Sequence, residues 1–284
     1  MLYGRVFIIQ LNMDDELIIE AGRGERQYWH DLWRYRELFV FLAWRDILVR
    51  YKQTVVGVAW GLIRPALAVF VLTMVGKVGK LSSGGVNHAL FIASAMLPWQ
   101  FFSTALSESG NSLVGNSNLI SKVYFPRLIV PASSVITSFV DFLVTTVFVS
   151  ALMVWFHFVP PATVFLLPFF VVLAFAASFG AGLWIAALMV KYRDFRFIVP
   201  FTVQFGLYAS PVLIMSSSVP ERWRLLYSLN PLVGIIDGFR WCLLGHQNLL
   251  YWPGFAVSVA GVIILGVTGL WYFRKTERTF ADVI

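Results

Sequence analysis

The sequence predicts an all-α membrane protein with an N-terminal amphipathic interfacial helix, six transmembrane helices and short re-entrant helices on the outer side. Two observations lead to this fold class. Of the 284 residues, 58% are hydrophobic and only 13% are charged, whereas a soluble domain carries about 25% charged residues. A chain this poor in charge must expose apolar surface to lipid. In addition, Trp, Tyr and Phe make up 17% of the residues, as expected for aromatic belts at two membrane interfaces.

The N-terminal region, residues 1–54, is predicted to form a cytoplasmic segment followed by an interfacial helix. Residues 1–30 mix acidic and basic side chains and show no signal-peptide pattern. Residues 31–52 contain no Gly or Pro, and four of their apolar residues share one helical face: Phe41, Trp44, Leu48 and Tyr51. This pattern favours a helix lying along the membrane surface. A core helix of a soluble domain is the alternative.

Residues 55–284 are predicted to form the transmembrane domain. Six apolar stretches reach the length of about 20 residues that spans a bilayer. They are residues 55–76, 89–113, 128–156, 164–190, 197–215 and 252–273. Arg64 interrupts the first stretch, close enough to its cytoplasmic end for the side chain to snorkel to the interface.

The placement of Lys and Arg predicts the orientation. Eleven basic residues flank the span ends on the N-terminal side: Arg45, Arg50, Lys52, Lys122, Arg127, Lys191, Arg193, Arg196, Arg274, Lys275 and Arg278. The opposite side has five: Lys77, Lys80, Arg222, Arg224 and Arg240. Because positive loops stay in the cytoplasm, both termini are expected there. The net charge of +7 therefore fits membrane orientation, and no nucleic-acid partner is expected.

The segment 216–251 is unusually apolar for an exposed loop. It contains two apolar runs, 225–229 and 232–244, separated by Asn230 and Pro231. Each run is too short to cross a membrane, so re-entrant or interfacial helices at the outer surface are predicted.

Enzyme chemistry finds no support in the sequence. The single cysteine, Cys242, and four widely spaced histidines give no metal-ligand pattern, so no metal site is expected. Residues 76–81, GKVGKL, lack the upstream glycine and the Ser or Thr of a nucleotide-binding P-loop. No cofactor is therefore expected on this chain.

Two carboxylates lie within the predicted spans. Asp141 is inside the third span, where an ionisable group is either functional or bound to a neighbouring helix. Glu108 lies near the cytoplasmic end of the second span, where solvation explains it.

Six short motifs, in order, resemble those of the permease subunits of ABC exporters for O-antigen, capsule and teichoic acid. They lie at residues 50–61 (RYKQTVVGVAWG), 97–102 (LPWQFF), 116–127 (NSNLISKVYFPR), 191–196 (KYRDFR), 229–232 (LNPL) and 238–241 (GFRW). Each motif alone is weak, but the ordered set covers the chain from about residue 30 to its end.

The resemblance implies a channel-forming homodimer in the bacterial inner membrane. Two copies of a separate cytoplasmic ATPase, which binds ATP and Mg, would drive export of a lipid-linked polysaccharide. The loop 116–127 would couple to the ATPase, with Asn116, Ser117, Asn118 and Ser121 able to cap a short helix. The coupling residues would be Arg50, Tyr51, Lys52, Asn118, Lys122, Tyr124, Phe125 and Arg127.

A sliding polymer needs weak, repeated contacts, which aromatic faces provide to sugars. The tunnel or gate candidates are Trp60, Trp99, Phe101, Phe102, Tyr208, Trp223, Tyr227, Phe239 and Trp241. A lipid-facing aromatic belt is the alternative interpretation of these residues. Three arginines at the outer side are candidates for a lipid pyrophosphate or head group: Arg222, Arg224 and Arg240.

Two other functions remain open at this point. A membrane glycosyl or acyl transferase would need clustered polar groups at one membrane face, which the sequence does not show. An ATP-independent flippase would need inverted repeats or a charged site at mid-membrane, and neither is apparent.

Overall fold

A computed structural model describes residues 25–52, 57–245 and 250–280, and the regular structure within these ranges is entirely helical. The all-α membrane fold is therefore confirmed. The predicted cytoplasmic residues 1–24, the domain boundary at residue 54 and the side chain of Trp60 lie outside the described part.

The described residues form eleven α-helices. They are α1 (Glu25–Arg34), α2 (Arg36–Lys52), α3 (Gly57–Val78), α4 (His88–Gly115), α5 (Ser117–Lys122), α6 (Ile129–Trp155), α7 (Leu167–Lys191), α8 (Phe195–Ala209), α9 (Glu221–Tyr227), α10 (Pro231–Leu244) and α11 (Trp252–Thr276). Short 3-10 turns precede α7 and α9 and follow α11.

Five segments of the described chain are long and apolar enough to cross a membrane. They are Gly61–Val78, His88–Gly115, Ile129–Trp155, Ala162–Lys191 and Trp252–Thr279. The sixth predicted span, 197–215, differs: α8 has 15 residues, or roughly 22 Å, and ends at Ala209. Ser210 is extended because the following Pro211 disfavours a helical conformation at this residue.

Helix α4 forms the centre of the bundle, between α6 and α7. Its Phe101 packs against α6 through Phe142, with ring centroids 5.4 Å apart, and lies parallel to Phe175 of α7 at 6.2 Å. Small and polar side chains of a spanning helix are better placed against protein than against lipid. The central position of α4 agrees with this, because its mean hydropathy is the lowest of the five spans in the described chain.

Helices α7 and α11 are parallel neighbours. Phe170 packs on Phe255 near the helix starts, at a centroid distance of 5.5 Å, and Trp184 stacks on Tyr272 further along, at 4.3 Å. Since α7 and α11 advance in the same direction, residues 192–251 must return the chain from the end of α7 to the start of α11.

Helix α8 makes this return along α4, in the opposite direction. Val199 lies in a buried cluster with Leu106 of α4, and Gly206 lies against the Trp99 ring. Beyond the helix, the carbonyl of Val212 and that of Phe91 accept hydrogen bonds from one guanidinium, that of Arg240.

Helices α9 and α10 form a hairpin beside the first half of α11. At its turn, Asn230 accepts a hydrogen bond from the Leu232 amide and Pro231 occupies the first helical turn, a favourable helix start. This turn packs beside Gly261. Helix α10 then runs back until Trp241 meets Trp252, at the start of α11, with centroids 6.1 Å apart.

Close approach of α7 and α11 depends on glycine. A Cβ at Gly180 would lie 2.8 Å from the Cα of Gly266, whereas a Cβ at Gly266 would meet nothing within 4 Å. Small residues let spanning helices pack at this distance. We expect Gly180→Ala to lower unfolding stability in mixed micelles by about 1–3 kcal/mol, because the helices must separate.

Gly266→Ala is the matched control for Gly180→Ala, because it adds the same methyl group on the facing helix into open space. Stability of the control should stay within about 0.5 kcal/mol of the parent. Equal effects of the two substitutions would contradict the close approach.

Candidate coupling site and transport path

Helix α1, the residues after α5 and the 3-10 turn after α11 meet at one end of the bundle, named here the α5 end. Glu277 holds them together: its carboxylate accepts hydrogen bonds from the Arg127 amide at 2.8 Å and from the Tyr28 hydroxyl at 3.1 Å. The Arg127 guanidinium donates to the Glu277 carbonyl. Burial and the Glu277 charge raise the pKa of Tyr28, so its hydroxyl keeps the proton that it donates.

Helix α5 and the residues after it expose a short continuous surface at this end. Asn118 and Lys122 are exposed, and Tyr124 is 61% exposed. Phe125, in contrast, is only 4% exposed and belongs to the buried cluster with Ile120 and Leu128. The exposed aromatic anchor is therefore Tyr124, while Phe125 fixes the loop to the bundle, which corrects its predicted role as a surface anchor.

The predicted capping of α5 by Asn116 does not occur. No side-chain cap is made at the start of α5. The Asn116 amide nitrogen instead donates to the Ser112 carbonyl at 2.8 Å, and its oxygen accepts from the Arg45 guanidinium at 3.0 Å. Asn116 thus links the end of α4 to α2 because its amide has both a donor and an acceptor.

The C-terminal end of α2 is bound to α6 and α4 by charged groups. The Arg50 guanidinium forms ion pairs with Asp141 of α6 and, at 2.5 Å, with Glu108 of α4. The Tyr51 hydroxyl also donates to Asp141, and burial raises the pKa of Tyr51. Of the three predicted coupling residues on α2, only Lys52 is exposed.

The predicted tunnel aromatics do not form one surface. Tyr208 and Trp223 are exposed, and Phe102, Tyr227 and Trp241 are partly buried. Trp99, Phe101 and Phe239 are buried in the main core. A stacking role for these three is therefore not supported, because they are buried among other apolar side chains.

The three arginines that were predicted to lie at the outer side also separate. Arg222 is exposed and lies over the Trp223 ring. Arg224 is partly buried and donates to the Ser217 carbonyl at 2.9 Å. Arg240 is fully buried, so it binds backbone rather than a head group. Its guanidinium donates to the carbonyls of Phe91, Val212 and Ile214 at 3.4, 2.6 and 3.1 Å.

One face of α4 carries polar side chains, of which the sequence-based prediction considered only Glu108. The members are Gln100, Ser103, Thr104, Ser107, Glu108 and Asn111, all exposed or partly exposed. Their spacing of three and four residues places them on one face of a helix, and this spacing is the sequence pattern that identifies them. At the Pro-Trp-Gln-Phe-Phe motif, where the face starts, only the aromatic residues were predicted to contact the polymer.

Long apolar helices, a polar face on the central one and a basic surface at one end are features of the membrane domain of a transport protein. Clusters of His, Cys, Asp or Glu able to hold a metal do not occur in the described ranges. The chain belongs to the ABC-2 type transporter family, whose model matches residues 37–244.

Curated relatives align over nearly the whole chain. An O-antigen export system permease protein RfbA of Klebsiella pneumoniae is 26% identical over 255 residues, covering 87% of this chain and 95% of the relative. The protein of the same name from Myxococcus xanthus is 25% identical over 256 residues, covering 89% of this chain and 98% of the relative.

Proposed function

We propose that this chain is the membrane-spanning subunit of an ATP-driven exporter that moves a lipid-linked polysaccharide, such as O-antigen, across the bacterial inner membrane. Family membership and the names of two nearly full-length relatives support this proposal. The structural observation that carries it is the exposed surface around Lys122 and Tyr124, since a transport domain without a nucleotide motif needs a docking surface for its ATPase.

The proposed topology has six crossings with both termini in the cytoplasm. Because α7 and α11 are parallel, α8 and residues 210–215 must carry the chain back across, beside α4. The α5 end is the cytoplasmic one, as it gathers Lys122, Lys191 and Arg274. The α9–α10 hairpin then re-enters from the outer side and turns beside Gly261.

The proposed assembly contains two copies of this chain and two copies of a separate ATPase, which holds ATP and Mg. In the dimer, Tyr208 and Trp223 are the exposed aromatic candidates for contact with the polymer, and Arg222 is the candidate for a lipid phosphate. Energy from ATP hydrolysis would reach the bundle through α5, whose exposed side docks while Ile120 and Phe125 stay in the core.

Substitutions on the docking surface should uncouple transport. We expect Tyr124→Ala combined with Lys122→Glu to reduce export by at least about tenfold, because losing an aromatic anchor and reversing a charge cost more than about 1.4 kcal/mol at an interface. Unfolding stability should change by less than about 0.5 kcal/mol, since both side chains are exposed. Export of labelled polymer, ATPase binding and thermal unfolding are the measurements.

Val123→Ala is the control for this pair, because Val123 is exposed in the same loop but lacks charge and aromatic area. Normal export by the Tyr124–Lys122 variant would refute the docking surface.

Co-purification tests the whole assignment. The chain is expressed with and without the ATPase encoded nearby and extracted in mild detergent. Two copies of each subunit with ATP hydrolysis are expected. Export that persists without an ATPase would indicate a flippase, and turnover of a lipid-linked sugar by the purified chain would indicate a transferase.

A further inference from the structure

The polar face of α4 is open although it lies on a membrane-spanning helix. The face is formed by Gln100, Ser103, Thr104, Ser107, Glu108 and Asn111, at intervals that repeat every turn. Polar groups within a membrane face the protein interior or a water-filled cavity, since lipid offers them no partners. In the described part of the chain Glu108 and Asn111 are exposed and the other four are only partly buried, so water, a second protein surface or a ligand must satisfy the polar groups that remain open.

The hydrogen bonds on this face are incomplete. Ser103 donates to the Gln100 carbonyl at 3.0 Å, Ser107 to the Ser103 carbonyl at 2.9 Å, and Asn111 to the Ser107 carbonyl at 2.9 Å. Each hydroxyl oxygen can still accept a hydrogen bond. The side-chain oxygen of Gln100 is buried without a hydrogen-bond partner among the described residues.

The polar face begins abruptly along the helix. Ala93, Met96 and Leu97 continue the same face toward the outer end, and all three are apolar and buried. The open polar part thus runs from Gln100 toward the α5 end over about 16 Å. Polarity and exposure change at the same residue, which indicates a vestibule that is open to the cytoplasm and closed at Gln100.

Two walls turn the face into a groove. On one side α8 packs against α4, with Gly206 against Trp99. On the other side the end of α2 is fixed by the ion pair between Arg50 and Glu108. Arg50 pairs with both Glu108 and Asp141, so the groove offers hydroxyl and amide groups beside a carboxylate that is held in an ion pair.

We propose that this polar face of α4 is the wall of the polysaccharide path in the cytoplasmic half of the membrane. Sugar hydroxyls would exchange hydrogen bonds with Ser103, Ser107 and Asn111 as the polymer advances. Neutral hydrogen bonds of this kind are worth about 0.5–1.5 kcal/mol each, which is weak enough for sliding. This inference rests on the proposed export function and names the surface that the polymer would contact.

Cysteine accessibility in inside-out membrane vesicles, prepared from cells that do or do not make the polymer, tests the proposal. In a Cys242→Ala background, Ser103→Cys and Ser107→Cys are compared with Val147→Cys on α6, an apolar position that is 67% exposed. A positively charged methanethiosulfonate reagent should label the two α4 cysteines at least about tenfold faster than Val147→Cys, because the reagent requires water. Active synthesis of the polymer should slow labelling at α4 and leave Val147→Cys unchanged.

Three outcomes would overturn the proposal. Equally slow labelling at all three positions would place the face against lipid. Disulfide formation between two copies at Ser107→Cys, without labelling, would make the face a packed helix interface. Fast labelling that polymer never slows, together with normal export by Ser107→Trp, would leave a water-filled groove that the polymer avoids.

The test separates this inference from the proposed function. Failure of the chain to support polymer export or to bind an ATPase would refute the function, whatever the labelling pattern. Normal export with any of the three outcomes above would refute only the assigned path. Val147→Trp serves as the control for steric bulk, since it adds the same ring to a surface outside the groove.

Discussion

Replacing Arg240 with alanine is expected to destabilise the protein by about 3–5 kcal/mol, the cost of breaking a buried, charged hydrogen-bond group. The guanidinium joins three elements through the carbonyls of Phe91 in α4 and of Val212 and Ile214 in the turn after α8. Its loss leaves these carbonyls with less hydrogen bonding in a site that excludes water. The midpoint of unfolding in mixed micelles is the measurement.

Two further substitutions define the role of Arg240. Arg240→Lys keeps the charge but offers a single nitrogen instead of a planar fork, so we expect most of the loss to remain. Arg222→Ala removes an exposed arginine of the same α9–α10 hairpin and should change stability by less than about 0.5 kcal/mol. A stable Arg240→Ala protein with impaired lipid binding would restore the head-group assignment that burial contradicts.

The loss of Arg240 should also affect residues 210–216 more than the rest of the molecule. Besides the carbonyls that Arg240 holds, Ser216 donates to the buried Asp237 carboxylate of α10. These contacts fix residues 212–216 to α10. Hydrogen exchange in Arg240→Ala should therefore increase first in residues 210–216 and later in α7.

Hydrophobicity predicted the spans well because lipid imposes a length and a composition on them. Five of the six predicted stretches correspond to helices that can cross a membrane. Hydropathy failed at residues 210–215 for a local reason. The residues there are mostly apolar, so they extended the predicted helix, yet Pro211 ends α8 through backbone geometry that an average over hydropathy does not include.

Side-chain roles were less predictable because they depend on packing between distant segments. Tyr124 and Phe125 are adjacent aromatic residues with the same predicted role, but the direction of the chain after α5 exposes the first and buries the second. Asp141 was correctly predicted to bind a neighbouring helix as one of two alternatives. Its partners, Arg50 and Tyr51, lie about 90 residues away, and no local pattern identifies them.

The contacts of Asp141 make α2 part of the bundle rather than a separate surface helix. Leu42 of α2 lies in the buried cluster that contains Ile129, at the start of α6. Eight residues later, Arg50 and Tyr51 reach Asp141, further along α6. A force applied to α2 would therefore act on α6 through both apolar and ionic contacts, and on α4 through Glu108.

A double-mutant cycle measures that connection. Arg50→Met and Asp141→Leu are each expected to lower stability by about 2–3 kcal/mol, because each leaves a partly buried charge without its main partner. The double variant should lose less than the sum, with a coupling energy of about 1–3 kcal/mol. Lys52→Met is the control. Lys52 lies two residues after Arg50 on α2 and is exposed, so it should show no coupling to Asp141→Leu.

Measuring export in the same variants distinguishes a role of the Arg50–Asp141 pair in stabilising the fold from a role in transmitting motion between α2 and α6. If Arg50 and Asp141 only stabilise the fold, export should follow the amount of folded protein. If the pair instead transmits motion from α2 to α6, the double variant should regain stability because apolar side chains replace both charges. It should not regain export. The ATPase activity of its complex should no longer depend on polymer. Strict additivity in the cycle would show that α2 and α6 are not coupled through this pair, and the apolar contacts at Leu42 would then be the connection.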